Sequence, residues 1–208
     1  MQDVNLYVEG LSVRTSGLAR ASHPELRASV ADAALLGEAR AFLGYVLAYL
    51  RGGARLRAEE TLAYGYWLTK FRPAGEGLLE AYEYSAGATE FVPGVTLALG
   101  YWRDQHEVCD RYAAEFTPPR PDQLVVISDG VLEGDAVQGV RYRSPEHMSG
   151  WWITTDRYNG DVASLRREHL YHLTAARADL ARYVALPFGF RFDLAHHEDV
   201  WFDPKTLG

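Results

Sequence analysis

Apolar residues recur along this chain with two different periods. From Val4 to Arg14 (VNLYVEGLSVR) they alternate with polar ones, which predicts a strand carrying Val4, Leu6 and Val8 on one face. A polar connection is expected over residues 15–31. The period then changes, because Leu35, Leu36, Ala39, Phe42, Leu43, Val46, Leu47 and Leu50 fall at helical spacing. Asp32 is suited to cap that helix and Gly52-Gly53 to stop it just after Arg51. Alternation returns in Thr61–Arg72 (TLAYGYWLTKFR), and Gly75–Gly77 reads as a hairpin connection into Leu78–Tyr84. Val95 to about Phe116, with Leu97, Tyr101, Val108, Cys109 and Tyr112, predicts a second helix.

Three prolines in Thr117-Pro118-Pro119-Arg120-Pro121 interrupt both patterns, since proline fits neither a helix interior nor a central strand. The chain is therefore divided there, into residues 1–117 and 121–208. In the second half Gln123–Ser128 predicts a buried strand, with Val137–Arg143 as its hairpin partner and Trp151–Thr155 as a third strand. Tyr158-Asn159-Gly160-Asp161 has turn chemistry, and Leu165–His172 fits a helix or a strand equally well. Thr174 is expected to cap a helix through about Val184, with closing strands at Phe190–Leu194 and Val200–Phe202. The fold class is α+β: two small packed units, each a mostly antiparallel sheet with one or two helices.

Composition narrows the function more by exclusion than by assignment. A net charge of −7 and a pI near 5.5 leave no basic face for nucleic acid. Cys109 is the one cysteine, so neither an intrachain disulfide nor a cysteine metal framework is expected. The N-terminus lacks the pattern of a signal peptide, and no apolar run reads as a membrane span, so a cytoplasmic location is expected. There is no G-x-G-x-x-G, no Walker A pattern and no G-x-S-x-G elbow, which argues against nucleotide and acyl-transfer enzymes of familiar type.

The remaining candidates are clusters. His169 and His172, with His196-His197 beside Asp193, Glu198 and Asp199, would suit a divalent metal only if the fold joined them; surface histidines are the commoner outcome. His106 near Cys109 invites a nucleophile reading, but Cys109 lies on the apolar stripe of its helix, where thiols are inert. No metal or cofactor is assigned. The densest stretch is Ser149–Asp161 (SGWWITTDRYNGD). On a strand Trp151 and Trp152 face opposite ways, one into the core and one outward. Trp151, Trp152, Asp156, Tyr158 and Asp161 are the candidate binding residues. Asp156 and Asp161 read as loop chemistry before they read as an acid–base pair.

Three stretches in order, VVISDGVLEGDAVQGVRYR, SGWW and HLYHLTAARADLARYVALPFGFRF, resemble bacterial immunity protein family thirty-three of the polymorphic-toxin systems. The matching positions are Val126, Ser128, Val131, Leu132, Tyr142, Arg143, Ser149, Gly150, Trp151, Pro187 and Gly189, within residues 121–205. Met148 and Thr154-Thr155-Asp156 depart from the acidic residues that the family carries around Ser-Gly-Trp. The resemblance implies a non-enzymatic α+β protein that neutralises a cognate toxin by binding it. Two other readings stand beside it: a small-ligand or glycan module with an aromatic cleft, and an enzyme using clustered His and Asp. Residues 1–117 have no assigned role, and the oligomeric state is open.

Overall fold

In the computed structural model, which describes residues 4–208, the N-terminal alternating segment turns back on itself at Gly10, whose φ is +58°. It is a hairpin, β1 (Asn5–Glu9) antiparallel to β2 (Ser12–Ser16), where one strand was expected. The turn separates two fates: Val8 is exposed and Val13 fully buried. The expected polar connection holds another strand, β3 (Glu25–Ser29). Its polar residues hide the alternation, but Leu26 and Ala28 are fully buried between them.

The first long helix is α1 (Leu36–Arg51), entered through a 3-10 turn whose cap is Asp32, accepting from the Ala34 amide at 2.9 Å. Its expected stripe is the core: Ala39, Phe42, Leu43, Val46, Leu47 and Leu50 are buried. Ala33–Arg51 does have the length and composition of a membrane-crossing helix, contrary to the sequence reading. Here, however, that apolar stripe packs on a sheet, with Phe42 stacked on Phe71 at 6.0 Å.

Gly65, at φ +61°, divides the next alternating segment into β4 (Thr61–Tyr64) and β5 (Trp67–Pro73), again a hairpin in place of one strand. Next come β6 (Leu78–Tyr84), β7 (Phe91–Pro93) and α2 (Thr96–Arg111). The sheet order is β1-β2-β3-β6-β5-β4, with β7 on β6 and one parallel pair, β3 with β6. Glu83 reaches from β6 to the start of α2 and accepts from the amides of Leu97 (2.9 Å) and Ala98 (2.6 Å), first-turn donors with no partner inside the helix.

The chain divides into two compact units between Arg103 and Asp104, inside α2. The proline run at which the sequence was split belongs to the second unit. Pro119 and Pro121 are buried, the Thr117 amide donates to the Ala185 carbonyl, and the Pro121 carbonyl accepts from Tyr171.

The second unit contains β8 (Leu124–Ile127), β9 (Gln138–Arg141), β10 (Met148–Thr154), β11 (Arg166–His169), α3 (Leu170–Ala176), a 3-10 turn at Ala178–Tyr183, β12 (Phe190–Asp193) and β13 (Asp199–Phe202). Its sheet order is β11-β8-β10-β9-β12-β13. The expected β8–β9 hairpin does not form. β10, which carries the fully buried Trp151, lies between them, parallel to β8 and antiparallel to β9. The ambiguous 165–172 stretch is strand and then helix. Thr174 is no cap: it sits buried within α3, its hydroxyl bonded back to the Tyr171 carbonyl. Both units are thus helices on mixed sheets, and the chain is α+β.

Candidate functional site

Ser149-Gly150-Trp151 forms a bulge in β10. The pairing with β8 slips between Met148 and Trp152, and Gly150 takes φ +85°. A Cβ on Gly150 would collide with the Tyr142 carbonyl and the Phe188 ring, so only glycine fits. Ser149 donates its hydroxyl to the Leu124 carbonyl at 2.9 Å, and the buried Trp151 indole N–H reaches the Val184 carbonyl at 3.0 Å.

Beneath the bulge lies Arg141, buried at 3% exposure. Its guanidinium donates to the carbonyls of Ser149 (3.0 Å), Thr117 (2.6 Å), Val184 (3.2 Å) and Leu186, and it stacks over Phe188 at 4.8 Å. Burial pulls its pKa down to about 10, which still leaves it charged at neutral pH. Backbone carbonyls take the place of a counter-ion. Gly189, at φ +94°, packs beneath the Phe202 ring and donates to the Arg141 carbonyl at 2.8 Å. Several residues that carry the family resemblance therefore build the scaffold.

The register shows what the scaffold presents. Trp152 lies beside Val126 and Val140, Val140 beside Arg191, and Arg191 beside Trp201. Cross-strand neighbours share a face, so these form one row across the sheet. Tyr142 joins it, edge-on to Trp152 at 5.9 Å. Arg191 lies over the Trp201 ring at 5.6 Å and is held by Asp203 at 3.0 Å. Trp151, Ile153 and Phe192 point the other way, into the core. Tyr142 and Trp201 are exposed and Trp152 is half-buried. The row is an aromatic and arginine-bearing face of the sheet, with Val126 buried within it.

Of the predicted binding residues, Trp152 alone lies on this row. Trp151 is fully buried and has no surface to offer a partner. Asp156 is exposed just past β10, and Tyr158 is half-buried in the turn that follows, its amide bonded to the Thr155 carbonyl. Asp161 caps the 3-10 turn Val162–Ser164 by accepting from the Ala163 amide at 2.9 Å. Sequence reasoning missed Arg141, Tyr142, Arg191 and Trp201 as site or scaffold residues. The available signal was strand parity: Trp201 alternates with the buried Val200, as Trp152 does with Trp151.

The histidines do not converge. His169 and His172 lie together at β11 and α3, with rings 5.9 Å apart, and His196-His197 occupy the turn between β12 and β13. β11 and β13 are opposite edges of the sheet. Among the described residues no group of three or more His, Cys, Asp or Glu is placed to hold a metal. Cys109 is buried, its thiol pushed up to about 11, and the His106 ring stacks on Phe116 at 3.8 Å. A pocket of about 600 Å³ in the first unit is lined by Ala21, His23, Leu50, Arg55 and Arg57 among others, with no Trp, Tyr or Phe.

Residues 104–203 match the family model of the Imm33-like domain. The match begins at the first residue of the second unit and takes in the whole six-stranded sheet. No curated protein and no solved structure matches the chain. The C-terminal half is thus similar to the Imm33-like domain, in agreement with the resemblance read from its motifs.

Proposed function

We propose, from the match of residues 104–203 to the Imm33-like domain, that this protein neutralises a cognate toxin in the cytoplasm by binding it, without catalysis of its own. The observation that carries the reading is the division of labour within that domain. Ser149, Gly150, Trp151 and Gly189, shared with the family, hold the bulge and core together, while the open face offers Trp152, Trp201 and the family-shared Tyr142 for contact. Large rings of this kind anchor protein interfaces, because they bury much area at small cost in side-chain freedom. The net charge of −7 would hasten capture of a basic toxin.

Co-expression tests this directly. Each toxin domain encoded beside this gene is produced with and without the protein, and growth is followed. Restored growth and a co-purifying complex are expected for one of them; failure to rescue every one would overturn the reading.

A further inference from the structure

The two edges of the six-stranded sheet differ in kind. β11 reads Arg-Arg-Glu-His, and such charged side chains keep a free edge from pairing with other chains. At the other edge β13 reads Asp-Val-Trp-Phe, with Trp201 38% and Phe202 50% exposed. The Asp203 amide bonds the Gly189 carbonyl, and Phe190 faces Phe202 in the register. Antiparallel bonding alternates, so Trp201 and Asp199 bond inward to β12, while the N–H and C=O groups of Val200 and Phe202 point away from the sheet. These groups are a short template for another strand.

Charge says what kind of strand fits. Asp193 and Asp199 face each other across the β12–β13 register, a like-charge pairing that costs stability unless a cation sits nearby. Of the four carboxylates in residues 193–203, Glu198 pairs with Arg111 at 3.2 Å and Asp203 with Arg191 at 3.0 Å, which leaves Asp193 and Asp199 as the two without an Arg or Lys partner among the described residues. Asp193 is engaged with the Ala195 amide, and Asp199 has no ion-pair partner among the described residues. Both line an open pocket of about 300 Å³ at the start of β13. Asp199 and Trp201 are two apart on one strand, so they face the same way, onto the open side of the sheet.

We infer that β13 is a docking edge for an extended segment of the toxin, which adds a seventh strand and sets a Lys or Arg against Asp193 and Asp199 and an apolar side chain two residues away against Trp201. The inference rests on the toxin-binding reading and deepens it, by naming where and in what conformation the partner engages. The backbone of Val200 and Phe202 supplies affinity, and the Asp199–Trp201 spacing supplies selectivity.

The probe is whichever neighbouring toxin domain the wild-type protein binds. Amide hydrogen exchange at Val200 and Phe202 is expected to slow at least tenfold in the complex. Trp201→Lys and Asp199→Asn are each expected to weaken binding by about tenfold, with the Asp199→Asn effect shrinking as salt is raised. Phe202→Pro, which deletes an outward N–H, should weaken it more than Phe202→Ala. Unchanged exchange at both amides in a complex that wild type still forms would overturn the edge and leave the toxin reading standing. Failure of wild type to bind any neighbouring toxin would overturn both.

Discussion

The Arg141 guanidinium donates to the Ser149 carbonyl at 3.0 Å, tying β9 to the bulge of β10 in the interior of the second unit. Removing the side chain takes this donor from the carbonyls of Ser149, Thr117 and Leu186, while Val184 keeps the Trp151 indole N–H. Arg141→Ala is expected to destabilise this unit by about 3 kcal/mol or more. Arg141→Lys should recover only part of that, because an ammonium cannot reproduce the planar fork. Urea unfolding of the three proteins checks this, and equal midpoints for wild type and Arg141→Lys would contradict it.

Gly150 and Gly160 both have positive φ, at +85° and +91°, but in different surroundings. Nothing lies within 4 Å of a Cβ at Gly160, while one at Gly150 would strike the Tyr142 carbonyl. Gly160→Ala should cost about 1 kcal/mol from backbone strain alone, and Gly150→Ala clearly more. Thermal midpoints of the two variants should therefore separate.

The two tryptophans of β10 should separate as cleanly. Trp151→Ala empties a core site and breaks the bond to Val184, at a cost of about 3–5 kcal/mol. Trp152→Ala should change stability far less and weaken toxin binding at least about tenfold, as loss of an aromatic anchor does. A Trp152→Ala protein that folds and still binds its toxin with full affinity would count against the open face.

In the first unit Glu83 couples folding to pH. Burial pushes its carboxyl from 4.5 up to about 7, even though the Leu97 and Ala98 amides favour the ionised form. The folded state then holds a proton that the unfolded state releases, so stability falls as pH rises from about 4.5 to about 7. The slope is roughly 1.4 kcal/mol per pH unit for one group. The stability of wild type relative to Glu83→Gln should fall across that window and level off above it; a flat difference would refute the assignment.

Cys109 should behave as a core residue. With its thiol pushed up to about 11 and its side chain buried, it should resist a mild alkylating agent at neutral pH and react quickly only once the protein unfolds.

Much of this architecture was legible in the apolar pattern. The stripe of α1 and the closing strands β12 and β13 stand where periodicity put them, and Asp32 caps the 3-10 turn that leads into α1 rather than α1 itself. Two of the errors share one cause, which is that alternation does not reveal a two-residue turn within it. Gly10 and Gly65 each conceal a reversal, so two hairpins read as single strands. Pairing between distant segments is likewise invisible locally, and β10 came to lie between β8 and β9. At the candidate site the opposed tryptophans were readable from parity. The Arg191–Trp201 end of the row was not, because it exists only once β12 and β13 join the sheet.

The bulge at Gly150 also sets the phase of everything downstream in β10. Ser149, Gly150 and Trp151 are buried in succession, and only after this extra inward step does strict alternation resume, with Trp152 and Thr154 half-buried on one side and Ile153 buried on the other. From Trp151 to Thr154, odd positions determine whether the domain folds and even positions what it can touch. Such a domain can be retargeted at Trp152 and Thr154 without disturbing its interior, whereas deleting a single residue at the bulge would exchange the two sets and abolish both properties at once.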